Sequence, residues 1–235
     1  MHHQDVRTLL TSDRLRSYAL RCADEGSALR LYEWNMRVAA AVLELTSIVE
    51  VVTRNAMDRE LDAWANQRGH ISWFDFIPRD QQGRADLGKA RARANRGGRR
   101  QEDHGRVIAE LTFGFWRYLV ESRYHTALWV PDLHRAFPHG PTNLRERRAE
   151  VKRRLQQLHF VRNRAAHHEP IHQRDLRRDH DYALELLGWI HPSAASWAAS
   201  VVSLPGVLDA RPSDGGAGSE PLRCTEAPPG AKEHP

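Results

Sequence analysis

The chain has 235 residues, of which 40% are hydrophobic and 28% charged, a composition typical of globular proteins that live in water. Residues 189–208, a long stretch without Asp, Glu, Lys or Arg, contain two prolines and four serines and would make a poor membrane span. No apolar run follows a basic start, and Cys22 and Cys224 lie far apart in the sequence. We therefore expect no secretory signal, no disulfide framework and a cytoplasmic location.

Basic residues outnumber acidic ones by 35 to 30, which gives a formal net charge of +5. Only three of the 35 are lysines, so 32 are arginines. The planar guanidinium binds two phosphate oxygens at once, and the excess hints at a polyanionic partner. A general coding preference for arginine over lysine would produce the same excess.

The chain shows helical periodicity and no sustained alternation of apolar and polar residues, which predicts an all-α protein. A short helix begins at Ser12 or Asp13 and reaches about Ala23, and a turn at 25–26 precedes one long helix over 27–64. The apolar stripe of the long helix consists of Leu31, Val38, Val42, Leu45, Val49, Val52 and Ala56. An apolar loop before Pro78, which we expect to cover the core as a lid, contains Trp73, Phe74, Phe76 and Ile77.

Residues 84–106 carry eight basic side chains against three acidic ones, a local charge of +5. Gly97 and Gly98 interrupt this run, so we expect a helix that breaks into a mobile basic loop. Most such runs are solvated connections. The alternative is a positive arm over a nucleic-acid groove, in which Arg96, Arg99 and Arg100 contact RNA.

Further helices are expected over 107–128, 144–168, 175–190 and 193–203, with a proline-rich loop at 131–141. Residues 209–235 hold five prolines, four glycines and few bulky side chains. The sequence therefore predicts one all-α bundle with long helices over residues 1–208 and a disordered Pro/Gly-rich tail over 209–235.

The clearest chemical signal lies in residues 151–172, VKRRLQQLHFVRNRAAHHEPIH. Four apolar residues, Val151, Leu155, Leu158 and Ala165, form a helix row whose missing member is Arg162. A guanidinium at a core position costs free energy unless it is paired or faces a cleft or another subunit.

The end of the same helix carries residues suited to acid–base chemistry. Asn163 and His167 are four residues apart and share a helix face, and Pro170 should end the helix near His168. The negative end of the helix dipole favours imidazolium there, so a histidine can titrate near neutral pH.

Two metal-site interpretations compete with this one. Residues 168–172, HEPIH, match the zinc-protease pattern H-E-x-x-H, but that pattern needs an unbroken helix and Pro170 breaks it. A looser site from His159, His167, His168 and His172 has no cysteine or repeated carboxylate to complete it. We therefore expect no metal and no other cofactor.

The stretch RNRAAHHEPI at 162–171 resembles the R-N-x-x-x-H signature of the HEPN superfamily, specifically its Abi-like (abortive infection) branch. The resemblance extends through 28–58 and 111–119 and covers most of residues 12–205. It implies an all-α HEPN bundle that forms a two-fold dimer with two motifs face to face. Many HEPN proteins are metal-independent endoribonucleases of toxin or phage-defence systems, and others are inactive RNA-binding or partner-binding modules. The implied partners are RNA, a second copy of the chain, and an antitoxin protein or small RNA.

For this chain the resemblance implies a catalytic group of Arg162, Asn163, His167 and His168. Arg162 would hold the phosphate, Asn163 would position it or orient the histidine, and His167 would move the proton, with His168 as its alternative. The plainer alternatives are that Arg162 and Asn163 staple a subunit interface and that His167 only caps the helix. DNA is disfavoured as a substrate because it lacks the attacking 2′-hydroxyl.

Three further expectations concern residues outside this group. Arg154, on the preceding part of the same helix, extends the positive surface toward RNA. Glu50 and Arg54 are spaced for a helix salt bridge, and the resemblance also allows them to line the cleft with Asn55. Residues 113–116, FGFW, are expected to pack in the core or a dimer interface rather than stack on bases.

Overall fold

The computed structural model describes residues 3–75 and 80–213, and every regular element in these ranges is helical, which confirms the all-α prediction for them. The α-helices are α1 His3–Leu10, α2 Ser12–Ala19, α3 Glu25–Asn66, α4 Gln81–Ala94, α5 His104–Glu110, α6 Phe113–Tyr118, α7 Leu144–Ala166, α8 Leu176–Ile190, α9 Pro192–Val201 and α10 Leu204–Asp209. Shorter elements are the 3-10 helices Trp73–Asp75, Ser122–Tyr124 and Leu133–Ala136 and the π-helical turn His125–Trp129. Phe76 and Ile77 of the expected lid, and residues 214–235 of the expected tail, lie outside the described residues.

α3 starts earlier than the sequence predicts. It begins at Glu25, so the turn expected at 25–26 is wrong. Asp24 caps the helix, because its Oδ1 accepts from the Ser27 backbone N–H at 2.9 Å and its Oδ2 from the Ser27 hydroxyl at 2.6 Å. These hydrogen bonds lower the pKa of Asp24. The stripe expected on this helix is confirmed, with every member buried except the half-buried Val52.

The single helix expected over 107–128 is wrong. α5 ends at Glu110 and α6 begins at Phe113, because Leu111 is extended, with ψ 130°, and the Thr112 hydroxyl caps a new helix. The capping bond runs from the Phe115 N–H to Thr112 Oγ1 at 3.3 Å. Side-chain caps, rather than apolar periodicity, therefore set the helix boundaries here.

The described residues group into two compact units, and α3 and α7 supply residues to both. The first unit is formed by the described residues of Met1–Leu45, Phe160–Asp181 and Val202–Pro235, and the second by those of Thr46–His159 and Tyr182–Val201. The largest fully buried side chains of the first unit are Tyr18, Leu31 and Leu45, and those of the second include Trp73, Trp116 and Trp129. No helix in the described ranges has the length and apolar character of a membrane span.

Candidate active site

The buried row of α7 runs through Val161 and not through Arg162. Its members, Val151, Leu155, Leu158, Val161 and Ala165, are each at most 1% exposed. Arg162 lies beside this row and is half-buried. The expectation that Arg162 occupies a core position is therefore wrong, because Val161 fills that place and leaves the guanidinium at the border of the buried face.

Arg162 is held by its neighbour. Nη1 of Arg162 donates to Oδ1 of Asn163 at 3.2 Å. Within residues 3–75 and 80–213, no carboxylate forms an ion pair with this guanidinium. Its remaining N–H groups therefore keep the capacity to bind an anion.

α7 ends in a Schellman motif centred on His168. The His168 N–H donates to the Ala165 carbonyl at 3.1 Å, and the Glu169 N–H donates to the Arg164 carbonyl at 2.8 Å. His168 has the left-handed φ of 58° that this position requires and that glycine usually supplies. The helix thus ends just before the two histidines, close to the predicted boundary, and HEPIH is not helical, as Pro170 predicts.

Two arginines fix the backbone of this turn while both imidazoles stay exposed. Arg14 donates to the His168 carbonyl, and Nη2 of Arg164 donates to the Pro170 carbonyl at 2.9 Å. Nη1 of Arg164 also pairs with Glu169 at 3.3 Å. His167 and His168 are both exposed. The result is a rigid turn that presents two imidazoles to solvent.

A cavity of about 320 Å³ adjoins the turn through Pro170. Arg164 and Arg174 contribute to its lining, and both guanidinium groups lie over the Phe160 ring, at 5.6 and 5.2 Å from its centroid. Arg174 is paired with the buried Asp179 at 2.5 Å. Burial raises the pKa of Asp179 and Arg174 opposes the rise. Carboxylates already occupy both guanidinium groups, Glu169 that of Arg164 and Asp179 that of Arg174, so we leave the cavity out of the proposed RNA surface.

His159 and His172, the other two histidines of the looser metal site considered in the sequence, pack against aromatic rings. The His172 ring is buried and lies 4.6 Å from the Tyr18 ring. The His159 ring packs edge-on against Phe113 at 5.8 Å. FGFW packs in the core as expected, since Phe113, Phe115 and Trp116 are at most 2% exposed.

Arg154 is 6% exposed and belongs to the second unit. Its guanidinium pairs with Glu150 at 2.5 Å and with Glu185 at 2.5 Å, and it lies 4.1 Å from the centroid of the Trp189 ring. These contacts occupy the guanidinium, so we leave Arg154 out of the proposed RNA surface.

The remaining predicted residues also belong to the second unit and are described by themselves. Arg96, Arg99 and Arg100 are exposed in the loop after α4, where Gly97 and Gly98 have positive φ values of 64° and 88°. Nε of Arg54 donates to Oδ1 of Asn55 at 3.3 Å, and Asn55 is exposed whereas Glu50 and Arg54 are half-buried.

The sequence analysis missed one group of candidate metal-ligating side chains. In the second unit, Asp58 and Asp62 of α3 meet His104 of α5. The spacing of the two aspartates, four residues apart in one helix, was the available signal.

No family model, no curated protein and no solved structure matches this chain.

Proposed function

We propose that this protein is a metal-independent endoribonuclease of the HEPN type, acting in a phage-defence or toxin–antitoxin system. The observation that carries the proposal is the half-exposed Arg162, hydrogen-bonded to Asn163 and followed, one turn later, by two exposed histidines on a fixed backbone turn. A phosphate-binding cation and proton-transfer groups are the parts that RNA cleavage by an internal nucleophile needs.

In the proposed reaction the ribose 2′-hydroxyl attacks the adjacent phosphorus. A histidine takes the hydroxyl proton as the O2′–P bond forms, and a second acid protonates the 5′-oxygen as the P–O5′ bond breaks. The products are a 2′,3′-cyclic phosphate and a 5′-hydroxyl. Arg162 stabilises the charge that develops on the phosphate oxygens, and Asn163 orients the guanidinium.

His167 is the first choice for the proton transfers, and His168 is the second. Either imidazole would act as the single proton-transfer group of its chain, so the proposal includes a two-fold homodimer in which the partner's motif supplies the other group. The exposed Arg96, Arg99 and Arg100 of the second unit are proposed to bind RNA phosphates.

The test is cleavage of single-stranded RNA by the full chain in EDTA. Arg162→Ala and His167→Ala should each lower the cleavage rate by about 10²–10³-fold. The matched controls are Arg37→Ala, an exposed arginine of the same unit, and His139→Ala, an exposed histidine outside the motif, and both should cleave at the wild-type rate.

Circular dichroism and size-exclusion chromatography show whether the variants keep helix content and oligomeric state. Cleavage that survives in Arg162→Ala contradicts the proposal. RNA binding without cleavage by all the proteins would instead support the inactive RNA-binding module. A wild-type protein that elutes only as a monomer at micromolar concentration contradicts the shared site.

A further inference from the structure

The second unit contains two carboxylates and an imidazole that the proposed nuclease reaction does not use. Asp58 and Asp62 lie on one face of α3, and His104 is the first residue of α5. Nε2 of His104 lies 2.9 Å from Asp58 Oδ1, 3.1 Å from Asp58 Oδ2 and 3.6 Å from Asp62 Oδ2. The three donor atoms thus converge on one point from two helices that are far apart in sequence.

Buried aromatic side chains hold these donor atoms in place. The Trp73 indole N–H donates to Asp58 Oδ1 at 2.8 Å. The Phe74 ring is stacked on the His104 ring, with 4.7 Å between centroids and 10° between planes. Trp73 and Phe74 are at most 2% exposed, so the carboxylate and the imidazole have a fixed orientation. Metal ligands in proteins are oriented by this kind of outer contact.

Neither an arginine nor a lysine among the described residues offsets the two carboxylates of the cluster. Among the described residues, no Arg or Lys pairs with Asp58 or Asp62, although the chain has 32 arginines among its 35 basic residues. Like charges four residues apart in a helix destabilise it. Burial raises the pKa of Asp62, His104 opposes the rise, and the charge of Asp58 adds to it. A bound cation would remove this repulsion.

We propose that Asp58, Asp62 and His104 bind one divalent transition-metal cation of the Zn²⁺ or Mn²⁺ class. Ligand atoms that lie about 2.0–2.2 Å from a tetrahedral ion are about 3.3 Å apart from one another. The distances from His104 Nε2 to Asp58 Oδ1, 2.9 Å, and to Asp62 Oδ2, 3.6 Å, lie on either side of that value. The imidazole favours a transition metal over Mg²⁺ or Ca²⁺, which prefer oxygen ligands.

The side chains of Asp62 and His104 are 40% and 34% exposed, which gives the ion an entry path and a position for water. The site is separate from the nuclease proposal, which uses no metal. Its role is to tie α3 to α5 within the second unit.

The test is metal binding by the full chain, freed of metal with EDTA and then titrated with ZnCl₂ and with MnCl₂ by calorimetry. Wild-type protein should bind one ion that Asp62→Asn binds at least about tenfold more weakly. Glu60→Gln, a carboxylate change on the same helix, is the matched control and should bind like wild type. Metal binding at exposed histidines and at the chain termini is the same in wild type, Asp62→Asn and Glu60→Gln, so it does not affect the difference in affinity between them.

Thermal unfolding separates a metal site from a structural ion pair. In EDTA, Asp62→Asn should be at least as stable as wild type because a like charge is removed, and the metal should raise the Tm of wild type and Glu60→Gln but not of Asp62→Asn. His104→Gln, which keeps both aspartates, should likewise show no rise of Tm on addition of the metal. Equal metal affinity in wild type and Asp62→Asn, or a wild-type Tm that does not respond to either metal, overturns the proposal.

Discussion

Nη1 of Arg162 donates to Oδ1 of Asn163 at 3.2 Å, and this bond joins adjacent residues near the end of α7. Among the described residues Arg162 has no carboxylate partner, so the neutral amide orients the guanidinium without cancelling its charge. A carboxylate in that place would compete with a phosphate for the same N–H groups. The pair is therefore suited to binding an anion rather than to stabilising the fold.

Arg162→Lys should lower the cleavage rate by at least about tenfold, because lysine is a point charge that cannot bind two phosphate oxygens in the fork geometry of arginine. The free energy of unfolding should change by less than about 0.5 kcal/mol, since the side chain is half-buried and, among the described residues, bonds only its neighbour Asn163. Single-turnover cleavage and urea unfolding measure the two quantities. A lysine variant as active as wild type would show that a positive charge alone suffices.

His168→Gly should raise the free energy of unfolding by about 1 kcal/mol, because His168 has a positive φ that costs a side-chain-bearing residue free energy. The backbone bond from Arg14 to the His168 carbonyl is retained in the variant. His167→Gly is the control and should lower stability by about 0.5–1 kcal/mol, since glycine gains nothing at a residue without a positive φ. Urea unfolding measures both, and a loss of stability in His168→Gly would contradict the assigned geometry.

Arg154→Ala should lower the free energy of unfolding by about 2–3 kcal/mol, because it removes a buried guanidinium from two carboxylates and from the face of Trp189. RNA affinity should stay at the wild-type value after correction for unfolded protein. Urea unfolding and fluorescence titration with labelled RNA give the two values. A weakened RNA affinity in a fully folded Arg154→Ala protein would restore Arg154 to the RNA surface.

At alkaline pH, ionisation of the buried Tyr18 should lower the free energy of unfolding of the wild type, and Tyr18→Phe should not show this decrease. Tyr18 is fully buried, its hydroxyl has no hydrogen-bond partner within the described ranges, and burial raises its pKa from 10.0 to about 12. The folded state thus holds the phenol proton more tightly, so this stabilisation is complete below pH 10 and is lost as the pH rises to about 12. Between pH 10 and about 12, the free energy of unfolding of the variant, measured in urea, should rise relative to that of wild type by up to about 2 kcal/mol. A parallel pH profile for the two proteins would contradict the assignment.

The helical class and the long helices α3, α7 and α8 could be predicted from the sequence because a helix that buries one face repeats its apolar residues. The start of α3 and the break between α5 and α6 could not, since side-chain caps at Asp24 and Thr112 decide them. Periodicity also failed at one residue of α7. Both Val161 and Arg162 fit a spacing of three or four between Leu158 and Ala165, and only the structure shows that Val161 is the buried one.

The two candidate sites differ in how far apart their residues lie in the sequence. Arg162, Asn163 and the two histidines lie within seven residues of one another, so a motif in the sequence identifies them. His104 is 46 residues from Asp58, and only tertiary packing brings its ring to the aspartates. The buried pairing of Arg154 is likewise a tertiary feature, since Glu185 and Trp189 come from α8.

The most direct test of the central claim is the chemistry of the RNA ends that purified wild-type protein produces in EDTA, determined by mass spectrometry. Attack by the ribose 2′-hydroxyl predicts a 2′,3′-cyclic phosphate on one product, a 5′-hydroxyl on the other, and no cleavage where the target nucleotide is 2′-deoxy. Products with 3′-hydroxyl and 5′-phosphate ends, or cleavage of the 2′-deoxy substrate, would contradict the account.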